Sequence, residues 1–215
     1  MKRLGKFFMK MIILMIPLAF GRSLIVPVTG LGSAGQIPGG SAVVQNTQKL
    51  EEFKEKIKDG NTNNLRGVYA HEKLQLSVVD QPSGQVGYIS SDPGTATLFS
   101  QAELFDAIGL LAHNYLSGED FFSLEIGEEI QLIYGDGSHQ EFIVREIHRY
   151  EAVDPNNIRS KFIDLSTGEK LTAPQLVMRM YGTEGNLTLQ TCIEKDGNLE
   201  WGRLFVVAEP VETAV

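Results

Sequence analysis

The sequence predicts a mainly β domain, either an antiparallel sandwich or a small barrel, with one or two short helices. Short apolar segments alternate with turn residues from about residue 66 onwards, and strands at such spacing are typical of these folds. Asp-Gly pairs at 136–137 and 196–197 separate neighbouring segments and favour β-hairpins. The predicted strands cover residues 74–78, 86–89, 108–112, 130–134, 142–150, 187–192 and 204–208.

Three other segments have helical signatures. Residues 50–58 carry apolar side chains at helical spacing, and the polar residues 59–64 end that helix. Ser100 and Glu103 have the spacing of a capping box at the start of a helical turn. Residues 173–180 form the last predicted helix, which has a proline near its start.

Composition and charge narrow the class of protein. A chain of 215 residues is long enough for one sizeable domain with terminal extensions. Hydrophobic residues make up 42% of it and charged residues 21%, as in soluble globular folds. The formal net charge of -8 argues against nucleic acid as a partner, because phosphate binding needs clustered Lys and Arg.

The N-terminus carries the pattern of an export signal. Basic residues at positions 2, 3, 6 and 10 precede an apolar run at 11–20, as in a signal peptide. Cleavage of this segment and its retention as a membrane anchor both remain open. We therefore divide the chain into a signal peptide or N-terminal membrane anchor (1–21), a linker with a short helix (22–65) and one domain (66–215). The predicted location is extracytoplasmic, with the chain anchored in the membrane or secreted.

The single cysteine is the first candidate for chemistry. Cys192 cannot form an intramolecular disulfide, and a free cysteine is often simply a small buried hydrophobic residue. The strand pattern favours another interpretation. Leu187 and Leu189 share one face of the predicted strand, so Cys192 emerges on the opposite face, where a substrate can reach it.

A cation is expected next to this cysteine. If the hairpin turn centres on residues 196–197, Cys192 faces about Trp201, and Arg203 lies two residues further along the neighbouring strand. Equal parity then places Arg203 on the face of Cys192, at a diagonal position roughly 7–8 Å away. A solvated strand residue is the alternative interpretation of Arg203.

The third candidate is His113, which follows an apolar strand and opens a loop, where reactive side chains often lie. The chain has 4 histidines. His139 lies beside an Asp-Gly turn and His148 lies among charged residues, so both are expected to be solvated. The pattern alone does not exclude His71 as the partner of Cys192.

These residues together resemble the sortase family. Residues 188–192 are Thr-Leu-Gln-Thr-Cys, which matches the T-L-x-T-C signature around the sortase nucleophile. Arg203 stands where sortases have an arginine at the start of the last strand. His113 matches the histidine at a strand end, although Ala112 replaces the usual glycine before it. The resemblance covers residues 66–211.

The resemblance implies a closed eight-stranded barrel and a two-step acyl transfer that needs no metal or cofactor. In it, Cys192 attacks the Thr–Gly carbonyl of an LPXTG-like sorting signal, His113 protonates the leaving amine and Arg203 stabilises the oxyanion. The implied partners are surface proteins with a C-terminal sorting signal and an amine on a cell-wall precursor or another protein; membrane contact is expected through the N-terminus. A degenerate module that only binds peptides, and a hydrolase that releases the acyl group to water, remain as alternatives.

Overall fold

The computed structural model describes residues 40–157 and 159–212, with side chains from residue 48 onwards. The predicted export signal and most of the predicted linker lie outside these residues. Within the described part, no helix is both long and apolar enough to cross a membrane. The described elements are helices α1 (Gly40–Ile57) and α2 (Ala173–Tyr181), 3₁₀ helices at Ala102–Phe105 and Ser117–Ser123, and strands β1 (Leu65–Ala70), β2 (Leu74–Asp80), β3 (Thr95–Leu98), β4 (Ile108–Leu111), β5 (Glu129–Tyr134), β6 (His139–Ala152), β7 (Lys161–Asp164), β8 (Lys170–Thr172), β9 (Leu187–Lys195) and β10 (Asn198–Pro210).

Eight of these strands close into a barrel. Their order is β10-β9-β4-β3-β2-β1-β5-β6, and β6 pairs in turn with β10 to complete the ring. β7 and β8 extend the sheet from β6 outside the ring. The predicted mainly β class with a closed eight-stranded barrel is therefore confirmed, and closure leaves none of the eight barrel strands as a free edge.

The barrel interior is filled by apolar side chains that alternate along each strand. On β9 these are Leu187 and Leu189, and on β10 they are Leu204 and Val206, all with no exposed surface. Alternate residues of the same two strands must then face outwards. Burial in this interior fixes the register of β9 and β10, because a slip by one residue would turn every leucine outwards.

A second core covers part of the outer face of the barrel. α2 lies over this face, and Tyr181 of α2 packs near Phe205 of β10, with ring centroids 6.4 Å apart. α2 begins with a capping box formed by Thr172 and Gln175 and has a proline in its first turn. The predicted helix at 173–180 is confirmed. The second core consists of Ala102, Tyr150, Ala152, Phe162, Leu171, Leu176, Met180, Tyr181, Phe205 and Val207.

α1 packs on a different part of the barrel wall. Phe53 is buried against Tyr69 of β1 and Ile133 of β5. Gly67 makes this contact close, since a Cβ there would meet the side chain of Ile57. Helix α1 belongs to the same compact unit as the barrel. The domain boundary at residue 66 stays a prediction.

Both predicted Asp-Gly hairpins are present, between β5 and β6 and between β9 and β10. Asp196 and Gly197 both have positive φ, 53° and 81°, as a two-residue type I′ turn requires.

Two local predictions were wrong. Residues 86–89 form turns rather than a strand, because the side chain of Gln81 donates to the carbonyls of Val86 and Tyr88 within this loop. Ser100 does not cap a helix: the 3₁₀ helix begins at Ala102 without a side-chain cap. The Ser100 hydroxyl donates to Gln81 instead.

Candidate active site

Cys192 lies on the outer face of the barrel, beside the second core. Leu187 and Leu189 of the same strand point into the barrel, so the predicted division of faces is confirmed. Thr188 faces α2 and its buried hydroxyl donates to the carbonyl of Met180 (2.6 Å). Cys192 is partly buried and lies in the second half of β9.

Strand β4 brings His113 next to Cys192. β4 runs parallel to β9 with Leu111 opposite Gln190, and the amide of Ala112 donates to the Gln190 carbonyl (3.2 Å). If this register continues for two residues beyond Leu111 and Gln190, His113 lies beside Cys192. Because Ala112 faces the barrel core, His113 is on the outer face with Cys192.

The loop that begins at His113 is fixed by backbone contacts. The carbonyl of His113 accepts hydrogen bonds from the amides of Leu116 (3.0 Å) and Gly118 (2.9 Å). One residue earlier, the carbonyl of Ala112 accepts a hydrogen bond from the buried hydroxyl of Thr191 (2.8 Å). A Cβ on Gly118 would lie 2.7 Å from the Ala112 carbonyl and 2.8 Å from that of His113. Only glycine fits here, so both Thr191 and Gly118 hold the backbone of His113.

The ring of His113 is covered on one side by Tyr115. The two rings stack with centroids 5.0 Å apart and planes at 22°. Tyr115 is itself more than half exposed, so it forms the outer wall of the site at this point.

Arg203 lies directly opposite Cys192, not diagonal to it. The hairpin begins as predicted, with Asn198 opposite Lys195, but the next pair joins Gly202 to Ile193. β10 therefore has residues 199–201 facing the single residue 194 of β9; we call these three residues the β10 bulge. The predicted pairing of Cys192 with Trp201 was wrong, because the two additional residues of the bulge shift the register. Because the register shifts by an even number of residues, the side chain of Arg203 stays on the outer face with Cys192.

The guanidinium of Arg203 is held from two sides. Its Nη1 donates to the carbonyl of Glu200 in the β10 bulge (2.9 Å) and to that of Gly202 (2.8 Å). Its Cζ lies 5.9 Å from the ring centroid of the buried Phe162 on β7, a distance at which a cation is attracted by the ring. These contacts leave other N–H groups of the guanidinium available for a ligand.

The β10 bulge also contacts the histidine loop. Nδ2 of Asn114 donates to the carbonyl of Leu199 (3.0 Å). Asn114 follows His113 directly, and the next residue of the bulge, Glu200, is hydrogen-bonded to Arg203. The β10 bulge thus contacts both the loop after His113 and the side chain of Arg203, the two groups on either side of Cys192.

Burial raises the pKa of the Cys192 thiol above its usual range. The charge of Arg203 acts in the opposite direction and lowers this pKa, while Glu200 raises it further. The thiol form of Cys192 therefore prevails at neutral pH, and a base is needed to remove its proton during attack.

The three other histidines lie elsewhere. His71 lies between β1 and β2 with Nε2 3.8 Å from Glu72, and His139 lies at the start of β6 with Nε2 3.6 Å from Glu141. His148 is paired with Glu146 (2.5 Å) on β6, two strands away from β9. The structure thus brings only His113, of the histidines in the described residues, beside Cys192. No three His, Cys, Asp or Glu side chains in that part of the chain are grouped to hold a metal ion.

The sequence did not predict the residues that support the site. Asn114, Tyr115 and the β10 bulge were not identified, because their roles depend on contacts between distant segments. The hydrogen bond from the Thr191 hydroxyl to the carbonyl of Ala112 was not foreseen either. Gly118 was the available signal, since a glycine shortly after a strand often marks a tight turn.

No family model and no curated protein matches the chain. Among solved structures, it is similar to sortase C1 from Streptococcus agalactiae, with 16% identity over 78% of each chain and a TM-score of 0.42. It is similar to sortase C-1 from Actinomyces oris, with 13% identity, a TM-score of 0.46 and coverage of 75% of this chain and 80% of that one. It is also similar to sortase C from Clostridium perfringens with the C-terminal cell wall sorting motif: 14% identity, a TM-score of 0.43, and 84% and 93% coverage.

Proposed function

We propose that the domain is a sortase-like cysteine transpeptidase. One observation carries the proposal: Cys192 of β9 lies between His113, which follows β4, and Arg203 of β10, on one outer face. A thiol, an imidazole and a guanidinium in that order supply the nucleophile, the proton carrier and the oxyanion donor of an acyl transfer. The proposed substrate is an LPXTG-like sorting signal, cleaved between Thr and Gly.

In the first step the Cys192 sulfur attacks the threonine carbonyl. A new C–S bond forms, the thiol proton passes to His113, and the carbonyl oxygen becomes an oxyanion that the free N–H groups of Arg203 stabilise. His113 then gives the proton to the glycine nitrogen as the C–N bond breaks. The products are a thioacyl-enzyme and a free amine.

In the second step an amine attacks the thioester carbonyl. A C–N bond forms, the C–S bond breaks, and His113 accepts the proton that the amine loses and returns it to the sulfur. The proposed acceptor is an amine on a cell-wall precursor or on another protein. This chemistry acts on surface proteins, so the proposed location is extracytoplasmic, with the chain anchored through its N-terminus or secreted.

The test is to incubate the purified domain with a library of peptides that carry sorting-type motifs. Cleavage products and covalent adducts are identified by mass spectrometry, with and without an added amine. We expect an adduct on Cys192 that disappears when amine is added, with formation of the transferred product. Adduct decay to the free acid alone would identify a hydrolase, and binding without any adduct would identify a peptide-binding module; either result overturns the proposal.

A further inference from the structure

The β10 bulge presents one carboxylate at the rim of the site. Glu200 is exposed, and its backbone carbonyl lies 2.9 Å from Nη1 of Arg203. The preceding carbonyl, that of Leu199, is bonded to Asn114 beside the candidate acid–base histidine. The part of β10 that carries Glu200 therefore contacts both the loop after His113 and the side chain of Arg203.

This carboxylate has no ion-pair partner among the described residues. Among the ion pairs of the described residues, none includes Glu200. Lys195, the cation of the same hairpin, has its Nζ 4.5 Å from the ring centroid of Trp201. The Glu200 carboxylate is thus available to an external cation.

A negative charge at this place hinders the first step of the proposed reaction. It lies close enough to Cys192 to raise the pKa of the thiol, and so disfavours the thiolate that attacks the substrate. The second step has the opposite requirement. A primary amine is protonated at neutral pH and arrives as a cation, which a carboxylate at the rim attracts.

We propose that Glu200 binds the acceptor, a cationic primary amine that resolves the thioacyl-enzyme. This inference rests on the proposed transpeptidation. The ammonium group pairs with the Glu200 carboxylate and releases one proton to water. The neutral amine then attacks the thioester carbonyl, the C–N bond forms as the C–S bond breaks, and the second proton passes through His113 to the sulfur of Cys192.

The test compares two acceptors that differ in charge. Triglycine amide is cationic at neutral pH, whereas hydroxylamine is neutral. For a peptide that the parent enzyme cleaves, we measure the acceptor concentration at which transfer equals hydrolysis. Glu200→Gln should raise this concentration about two- to five-fold for triglycine amide, the range that corresponds to one exposed ion pair, and leave it unchanged for hydroxylamine.

Glu194→Gln is the matched control, since Glu194 is an exposed acid on the same hairpin and should leave both values unchanged. Single-turnover acylation without acceptor should be faster in Glu200→Gln, because the pKa of Cys192 falls. An equal change for both acceptors, no change for either, or the same change in Glu194→Gln would overturn the inference. If the parent enzyme forms no acyl-enzyme at all, the proposed function itself fails, which is seen before any acceptor is added.

Discussion

The hydroxyl of Thr191 connects β9 with the carbonyl of Ala112, the residue before His113, and Thr191→Val isolates that connection. In the parent protein the Thr191 hydroxyl oxygen lies 2.8 Å from the carbonyl oxygen of Ala112. Valine keeps the shape of threonine but leaves this buried carbonyl without its donor. An unsatisfied buried polar group costs about 1–3 kcal/mol of the free energy of unfolding. At this chain length we expect a lower Tm, by roughly 2–4 °C per kcal/mol.

Thr188→Val is a matched control on the same strand. Thr188 also donates a buried hydrogen bond to a backbone carbonyl, that of Met180 (2.6 Å), but it anchors α2 on the other face. Both variants should therefore lose similar stability, measured by thermal unfolding. Only Thr191→Val should also lower the single-turnover acylation rate, by at least ten-fold, because His113 is displaced from Cys192. Equal acylation rates in two equally destabilised variants would show that Thr191 does not position His113.

Three further outcomes are expected. Cys192→Ala should abolish acylation without unfolding the domain, since the residue lies outside the barrel core. Arg203→Lys should lower the acylation rate by a factor on the order of 10²–10³, as for the loss of one oxyanion donor. His113→Ala should lower this rate at least as much, whereas His148→Ala should react like the parent. The acylation rate should rise with pH through the neutral range, because burial raises the pKa of Cys192; Arg203→Gln should move this rise to higher pH, and an unchanged pH profile would contradict the role of that charge. Phe53→Ala should lower the free energy of unfolding by about 3–5 kcal/mol, measured by urea titration, because this buried ring joins α1 to the barrel; a loss below 1 kcal/mol would mean that α1 does not stabilise the domain.

Much of the fold followed from the sequence because local chemistry and tertiary structure agree. The two Asp-Gly turns and the alternation of Leu187 and Leu189 gave the strands and their faces. The three candidate residues of the site also lie together in the structure. Closure of the barrel through β6 and β10 could not be derived from the pattern, since strand pairing depends on contacts between distant residues; it was expected only from the resemblance.

Two of the failed predictions lie where side chains compete with local backbone preference. The loop at 86–89 has a strand-like composition, yet Gln81 binds its carbonyls and keeps it in turns. Ser100 has the spacing of a helix cap but bonds the same glutamine. In both cases the deciding partner is Gln81, about 5 to 19 residues away, beyond the range of a capping or alternation pattern.

The length of the β10 bulge has a testable consequence. Its two additional residues preserve the parity of β10, so the pairs on either side keep their faces. Deletion of residues 199–200 should therefore leave a regular hairpin with Arg203 still opposite Cys192 and a near-parental Tm. Acylation should nevertheless fall, because the carbonyls that hold Arg203 and Asn114 are removed. Deletion of residue 200 alone changes the spacing between the turn and the rest of β10 by an odd number of residues. The core side chains of the strand would then be forced towards the wrong face, so we expect a loss of several degrees in Tm. A single deletion as stable as the double deletion would refute the argument that parity fixes Arg203 on the outer face.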